Sequence, residues 1–416
     1  MYRQRAHCLP VFAVLLALLA TFVSPIASAA GLADPVVARV EMKLTADEEV
    51  IDVIEKGDLL TVIEVREDDY VVMTHGGVKG AVDKVNAVAI AESGDIYSEL
   101  IEANPDEGRY YTLRASSWWA LGKTEQALAD FDKAIELGYE QAHAYSSRGL
   151  FHASSGDYDK AIADYNKAIE LDADDVSPLI NRAAARMAKG DVEDAIGDYS
   201  IAMEHKREHE ESITSLLRQR AIAYKVAGKA DKAIEDFNTI LAENPKDFAA
   251  VMGRGYVHFQ QENHAAAVED FARAIEIDAT SPVAWNNRGY NRFRLGKHAE
   301  AIEDYNEALR LAPKYALALQ NLAWALISVE DESLRDPKLA VQSAKAACEL
   351  SDYKNISDLS ALAASLAAAG QFAEAVGWQE KVVELVDESY KAFAEKTLVR
   401  YQNEQPFSAD PDAAAE

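Results

Sequence analysis

The stretch "RGYNRFRLGKHAEAIEDYNEALRLAP", which runs from Arg288 to Pro313, decides the fold of this chain. Its first residue recurs upstream, and successive copies are separated by 34, 34, 38, 34 and 34 residues, a constant period with one four-residue insertion. These marker arginines are Arg114, Arg148, Arg182, Arg220, Arg254 and Arg288. A repeat of this length predicts a stack of similar supersecondary units in which each unit contacts its neighbours.

Other residue types recur at set distances from each marker arginine. A small residue follows it directly, alanine stands thirteen residues on, and Phe or Tyr stands seventeen residues on. Glycine stands eight residues on in five of the six copies, with Glu262 as the exception. Because glycine breaks a helix and small residues let helices pack closely, each unit is predicted to be a hairpin of two antiparallel helices.

An aspartate stands sixteen residues after every marker arginine, namely Asp130, Asp164, Asp198, Asp236, Asp270 and Asp304. In a hairpin that turns at the residue eight along, the arginine and the aspartate lie at the same height. We expect each guanidinium to pair bidentately with its carboxylate across the hairpin. Six catalytic copies of one pair are implausible, so the predicted role is a structural ladder that sets the register of the helices.

This pattern closely resembles the tetratricopeptide repeat (TPR), in copies such as "AYSSRGLFHASSGDYDKAIADYNKAIELDAD" and "AWNNRGYNRFRLGKHAEAIEDYNEALRLAPK". The resemblance covers residues 95–387 and implies a mainly all-α solenoid of about eight helical hairpins. The family often carries leucine where the marker arginine stands, and the eighth copy here lacks the arginine. Because the ends of a solenoid need polar caps, we expect a capping helix over residues 388–402, followed by a disordered tail over 403–416.

The resemblance also implies a binding groove, since in this family the first helix of each hairpin lines the concave face. Residues two before, two after and five after the marker would face a bound peptide or partner protein. Rings supply apolar area and amides can bond a peptide backbone, although such rings can instead pack against the next repeat. The predicted groove residues are Met252, Tyr256, Phe259, Asn286, Tyr290, Phe293, Arg294, Asn321 and Trp324, with Trp119, Arg218 and Lys225 on the matching face earlier.

Residues 36–91 have a different sequence pattern, with short runs of alternating apolar and polar residues such as "LLTVIEV" and "YVVMTH" between turn residues. Alternation of β-branched residues predicts a small β-domain. The segment resembles a bacterial Src-homology-3-like β-barrel. In that family, aromatic residues that bind the ligand usually stand near the positions that Tyr70 and Ala81 occupy here. A docking or spacer role is therefore favoured over ligand binding, with peptidoglycan as the candidate ligand if the domain binds one.

Residues 1–29 have the pattern of a secretory signal peptide. Arg3 and Arg5 precede the apolar run "VFAVLLALLATFV", and Ala27 and Ala29 have the small-residue spacing of a cleavage site. We expect cleavage near Ala29 and a periplasmic or secreted bacterial protein. No other stretch approaches eighteen apolar residues, so no transmembrane segment is expected in the mature chain.

The net charge and the short motifs of the chain argue against two classes of function, nucleic-acid binding and zinc-dependent peptidase activity. The net charge is -28, or -30 after the two arginines of the signal are removed, which disfavours nucleic acid as a partner. The run "HKREH" from His205 to His209 has the order of an inverted zinc peptidase, but it falls in the insertion that interrupts the period, so a solvated surface is the favoured interpretation.

We found no nucleophile elbow, phosphate loop or dinucleotide fingerprint in the sequence. We therefore predict a scaffold or adaptor for a protein or peptide partner, with no enzymatic activity, no metal and no cofactor. Two alternatives stay open. One is a cell-envelope anchoring module, in which the β-barrel contacts peptidoglycan and the repeats recruit partners, and the other is an accessory subunit of an envelope enzyme.

Overall fold

The computed structural model describes residues 35–46, 49–74, 77–209 and 211–407. The predicted signal peptide over residues 1–29 lies outside the described residues. Within them the chain divides into two compact units, residues 35–216 and 217–407. No helix in these ranges is both long enough and apolar enough to cross a membrane.

The first unit opens with a curled antiparallel half-barrel, which is consistent with a small Src-homology-3-like domain. Its strands are β1 (Val36–Ala38), β2 (Met42–Ala46), β3 (Glu49–Ile54), β4 (Leu59–Val65), β5 (Asp69–Met73), β6 (Lys79–Asp83) and β7 (Ala87–Ala89). Five strands form one sheet in the order β6-β5-β4-β1-β7, while β2 and β3 pair as a separate hairpin. The expected barrel is thus a half-barrel, since the described strands form two sheets and no single closed one.

The half-barrel rests on the first helix of the helical region, α1 (Gly94–Ala103). The buried Tyr97 hydroxyl donates to the Gly57 carbonyl oxygen at 3.1 Å. Gly57 has a φ of +90°, and a Cβ there would come within 2.6 Å of the Leu100 side chain. Two ion pairs flank this contact, Lys56 with Glu99 and Arg109 with Asp58. The half-barrel and the first repeat are therefore held together by packed and polar contacts, in contrast to domains on a flexible linker.

Hairpins of α-helices make up the rest of the described chain. In the first unit these are α2 (Gly108–Ala120) with α3 (Thr124–Glu136), α4 (Ala142–Ser154) with α5 (Tyr158–Leu171), and α6 (Ser177–Lys189) with α7 (Val192–Glu208). Helix α8 (Thr214–Val226) crosses the boundary between the units and pairs with α9 (Ala230–Glu243). The remaining helices are α10 (Phe248–Gln260), α11 (His264–Ile277), α12 (Pro282–Arg294), α13 (His298–Leu311), α14 (Ala316–Ser328), α15 (Pro337–Leu350), α16 (Ile356–Ala368), α17 (Phe372–Leu385) and α18 (Glu388–Gln402). The predicted solenoid of eight hairpins is confirmed.

Recurrent small and aromatic residues explain why the two helices of a hairpin pack closely. The aromatic residue seventeen after the marker is almost fully buried in every copy, and Phe271 and Tyr305 are 0% and 1% exposed. It covers the small residue that follows the marker. At Gly289 an added Cβ would come within 3.0 Å of Tyr305, and at Gly149 within 2.7 Å of Tyr165. A larger side chain at this position would therefore push the helices apart.

The chain departs from the expected tail at its C-terminal end. Residues 403–416 were expected to be disordered, but residues 403–407 are described, and the ring of Phe407 packs against Trp324 with centroids 4.9 Å apart. The expectation is therefore wrong for residues 403–407, because an aromatic side chain there finds an apolar partner. Residues 408–416 lie outside the described residues.

The turn inside each hairpin needs a left-handed residue. The recurrent glycines have positive φ, for example +70° at Gly228 and +76° at Gly296, and Glu262 has a φ of +57° at the same position of the fifth hairpin. A side chain in this conformation has its Cβ close to a backbone carbonyl, which glycine avoids. The fifth hairpin consequently carries a local strain that its neighbours lack.

We predict that Glu262→Gly raises the free energy of unfolding by about 0.5–1 kcal/mol, because it removes the unfavourable left-handed side chain. The matched change Gly228→Ala should lower stability by a similar amount. Urea denaturation followed by far-UV circular dichroism measures both. A loss of stability in Glu262→Gly would show that the glutamate side chain makes a stabilising contact that outweighs its backbone strain.

Candidate peptide-binding site

The structure brings all six marker arginines into contact with their aspartates. In the sixth hairpin Arg288 Nε lies 3.0 Å from Asp304 Oδ2, and Nη2 lies 2.7 Å from Oδ1. The corresponding bidentate bonds join Arg114–Asp130, Arg148–Asp164, Arg182–Asp198, Arg220–Asp236 and Arg254–Asp270. Every one of these carboxylates is buried, with Asp270 4% and Asp304 1% exposed. The hydrogen bonds that Arg114 donates to the Asp130 carboxylate raise the pKa of Arg114.

Two of the aspartates receive a second arginine, which sequence reasoning missed. Arg186 Nη1 lies 2.7 Å from Asp198 Oδ2, and Arg292 Nη1 lies 2.8 Å from Asp304 Oδ2. Both stand four residues after a marker, which places them one helical turn further along the same face. In the second and fifth hairpins that position holds His152 and His258, whose Nε2 atoms are 4.0 Å from the carboxylates.

The marker arginines also bond to the preceding hairpin, and this too was missed. Arg148 Nη1 reaches Asp132 Oδ1 at 2.8 Å, and Arg254 Nη1 reaches Asn238 Oδ1 at 2.6 Å. Arg182 bonds Asn166 in the same way. These acceptors stand eighteen residues after the marker arginine of the preceding hairpin. The recurrence of Asp or Asn at that position could have predicted the bonds from the sequence. Each such arginine thus joins two successive hairpins.

The predicted groove residues lie on the first helices α10, α12 and α14, but they are not equally accessible. Met252 is 8% and Asn286 is 1% exposed, so both offer little surface of their own to a bound peptide. The other predicted residues, Tyr256, Phe259, Tyr290, Phe293, Arg294, Asn321 and Trp324, are half-buried and keep part of their surface open.

The half-buried rings touch one another across successive first helices. Phe259 of α10 and Tyr290 of α12 make an edge-to-face contact with centroids 5.4 Å apart. Arg294 Nη1 donates to the Tyr290 hydroxyl at 3.2 Å. Phe293 lies 4.8 Å from His298, centroid to centroid. These contacts hold the rings in place while part of their surface stays exposed, as a preformed binding surface requires.

The amide side chains of this face bond to one another. Asn321 Nδ2 donates to Asn286 Oδ1 at 2.9 Å, Asn286 Nδ2 donates to Asn287 Oδ1 at 3.3 Å, and Asn287 Nδ2 donates to the Tyr256 hydroxyl at 2.7 Å. This relay connects α14, α12 and α10. From the sequence we expected such amides to bond the backbone of a bound peptide. For Asn286 the structure shows otherwise, because its amide is buried and bonds to the other asparagines of the relay.

A small cavity lies at the C-terminal end of this face. It is lined by Trp324 of α14, by residues of α16 and α17, by Phe393 and Tyr401 of α18, and by Phe407. Sequence reasoning missed Tyr401 and Phe407 because they follow the last repeat. Phe407 is a single apolar ring in an otherwise polar tail, and this could have indicated from the sequence that it packs against the repeats.

The residues predicted for the matching face of earlier hairpins have other contacts. Trp119 packs edge-on against Phe151 with centroids 6.1 Å apart. Arg218 Nη2 is paired with Asp247 Oδ2 at 2.8 Å. Lys225 is half-buried, and this burial lowers the pKa of its ammonium group. Of the three, Arg218 is committed to an internal ion pair.

The run from His205 to His209 lies at the end of α7, where the two imidazole rings stack with centroids 4.4 Å apart. No group of three metal-ligating side chains occurs among the residues for which the structure gives positions. Cys348 is fully buried, and its burial raises the pKa of the thiol to about 12, so it is protonated at neutral pH.

The first helices α10, α12 and α14 together form a half-buried face, called the inner face from here on. Antiparallel hairpins with a constant period and such a face define a helical-repeat protein. Family profiles described as "Tetratricopeptide repeat" match residues 112–176, 218–282, 282–315 and 359–386. The chain therefore contains tetratricopeptide repeats in these ranges. A comparison with curated protein sequences gave no significant match.

Solved structures of repeat proteins are similar to the chain. One is the C-terminal part of a TPR repeat-containing protein from Cytophaga hutchinsonii, with a TM-score of 0.50, 18% identity, and coverage of 62% of this chain and 99% of that one. A TPR protein from Parabacteroides merdae ATCC 43184 has a TM-score of 0.45 and 18% identity, covering 63% and 99%. A chain of the APC/C hetero-tetramer Cut9–Hcn1 has a TM-score of 0.41 and 17% identity, and the match spans 67% of this chain and 52% of that one. At these identities the similarity concerns the fold alone.

We predict that Arg254→Leu lowers the free energy of unfolding by on the order of 3 kcal/mol, because it leaves the buried Asp270 carboxylate without an arginine and with only His258 at 4.0 Å. Arg288→Leu is the matched control and should cost about half as much, since Arg292 still pairs with Asp304. The double change Arg254→Leu/Asp270→Leu should cost less than Arg254→Leu alone. Urea denaturation measures all three, and equal losses in the single and double variants would mean that the pair is not coupled.

Proposed function

We propose that this protein is a non-catalytic scaffold that binds an extended peptide or a segment of a partner protein on the face formed by α10, α12 and α14. The observation that carries the proposal is the row of half-buried rings on this face, from Tyr256 to Trp324. Covering the remaining surface of one such ring contributes about 1 kcal/mol, so several rings together supply a useful affinity.

Charge supports a basic or neutral partner. The net charge of the whole chain is -28, which attracts cationic segments and repels phosphate backbones. The rings are held by Arg294 and by the asparagine relay. Such preorganised surfaces lose little conformational freedom on binding.

We also propose that the protein is exported and acts in the bacterial periplasm or outside the cell. The support is the sequence of residues 1–29, with its basic start, apolar run and small-residue end. An anchoring role is the second candidate function. The observation in its favour is the attachment of the half-barrel to α1 through Tyr97, which would transmit a wall contact to the repeats without a flexible joint. An accessory role beside an envelope enzyme would use the same inner face.

We predict that Tyr290→Ala/Phe293→Ala removes partner capture while leaving most of the protein folded, because the two rings keep exposed surface on the binding face. The measurement is capture of partners from the envelope fraction by the tagged mature chain, identified by mass spectrometry, with the melting temperature recorded in parallel. Val399→Ala is the control, since this side chain is 53% exposed on the capping helix. Capture that falls only in proportion to the unfolded fraction would mean that the two rings are packing residues.

We predict that the mature chain begins near Ala30 and is released from spheroplasts in soluble form. N-terminal sequencing of the protein recovered from the exported fraction tests this, and an intact Met1 there would contradict cleavage. Co-sedimentation with purified sacculi separates the two candidate functions. Only the anchoring role requires that the chain sediments with them.

A further inference from the structure

The chain reverses direction directly after the capping helix α18. Glu404 has a φ of +56°, Glu404 N donates to the Tyr401 carbonyl at 3.1 Å, and Gln405 N donates to the Arg400 carbonyl at 2.9 Å. This pair of bonds is the usual closure of a helix by a left-handed residue. Arg400 Nε then donates to the Pro406 carbonyl at 3.2 Å. The turn therefore sends residues 405–407 back along the second unit.

Phe407 consequently lies at the end of the inner face. Its ring makes an edge-to-face contact with Trp324, centroids 4.9 Å apart, and a second contact with Phe393 at 6.5 Å. Trp324 is the last ring of the row described above. Pro406 precedes this contact, and proline favours an extended backbone because its φ is fixed and it has no N–H donor. The segment Gln405–Phe407 thus belongs to neither a helix nor a strand, and it places its ring against the end of this face.

The space around this ring is almost filled. The cavity lined by Trp324, Val382, Phe393, Tyr401 and Phe407 has a residual volume of about 20 Å³, which is on the order of what one water molecule needs. A second aromatic ring does not fit while Phe407 is present. A partner that places a ring in this cavity therefore displaces Phe407.

Tyr401 adds a polar group to the same place. Its side chain is 1% exposed, and its hydroxyl oxygen has no hydrogen-bond partner in the part of the chain that the structure describes. A buried hydroxyl without a partner is unusual, because its desolvation is not compensated. A main-chain carbonyl of a segment bound beside Trp324 is a suitable acceptor for it.

We propose that this end of the inner face is a subsite for a phenylalanine side chain of an extended peptide, and that Phe407 is its tethered occupant. The inference rests on the proposed function, because it takes the row of rings as the binding surface. A partner segment that carries an aromatic residue and also contacts Tyr290 and Phe293 displaces the tail. A segment without such a residue competes poorly, so the tail contributes to specificity.

The strength of the competition follows from the tether. A short flexible link gives the attached segment an effective concentration of about 1 mM. Because the tail is bound in the structure, the same segment supplied as a free peptide must bind the emptied site at concentrations of about 1 mM or below. The subsite is therefore testable before any partner is known.

The probe is a fluorescein-labelled peptide with the sequence of residues 403–410, followed by fluorescence anisotropy. It is added to the full chain, to the full-length variant Phe407→Ala and to a chain that ends at Gln405. The last two should bind the peptide with a dissociation constant at least about twofold lower than that of the full chain, because a tethered competitor at about 1 mM is gone. Asn403→Ala is the control, since it changes an exposed residue of the same turn and keeps the ring, and it should behave like the full chain.

A peptide in which alanine replaces phenylalanine should not bind any of these chains. Equal binding by the full chain and by Phe407→Ala would overturn the proposal, and so would no binding by any chain at about 1 mM peptide. Melting temperatures of all variants show whether a loss of binding reflects unfolding.

The outcome is distinguishable from that of the proposed function. If the peptide binds as expected but the Tyr290→Ala/Phe293→Ala variant captures the same partners as the native chain, the subsite stands and the partner site lies elsewhere. If that variant loses its partners while Phe407→Ala leaves peptide binding unchanged, the inner face binds partners and the tethered-occupant proposal is wrong.

Discussion

The ion pair inside each hairpin is the constraint on which the rest of the helical structure depends. A carboxylate as deeply buried as Asp304 is strongly unfavourable without a cationic partner, and its partner stands on the other helix of the same hairpin. The two helices therefore cannot slide or rotate independently. Because the pair fixes the rotation of the first helix, it also decides which side chains of that helix reach the inner face.

The bonds between hairpins extend this constraint along the stack. Arg254 contacts Asp270 in its own hairpin and Asn238 in the preceding one, so one side chain fixes both contacts. In a repeat protein each unit touches only its neighbours, and local bonds of this kind determine how regularly the units stack. The asparagine relay from Asn321 to Tyr256 does the same on the inner face, where it keeps the first helices in place beside the half-buried rings.

On the proposed binding face, the same residues also stabilise the fold. Tyr290 is fixed by Phe259 and by Arg294, yet part of its surface is open. The two interpretations that the sequence left open, packing stripe and binding stripe, are therefore not exclusive. A ring that is already held by its neighbours loses little side-chain entropy when a partner covers its remaining surface. The same reasoning explains why Phe407 can bind at Trp324 with few additional contacts.

Periodicity alone determined the hairpins, the glycine turns with their exception at Glu262, and the partners of the marker arginines, because residues eight before and eight after a turn must lie at one height. The alternating pattern of residues 36–91 likewise predicted β-strands, since side chains of a strand alternate between two faces. Only the tertiary structure decided that Asn286 is buried while Tyr290 is half-open, and that Phe407 returns to Trp324. These features depend on the rotation between successive hairpins and on the chain reversal at Glu404, and such contacts between distant residues leave no period in the sequence.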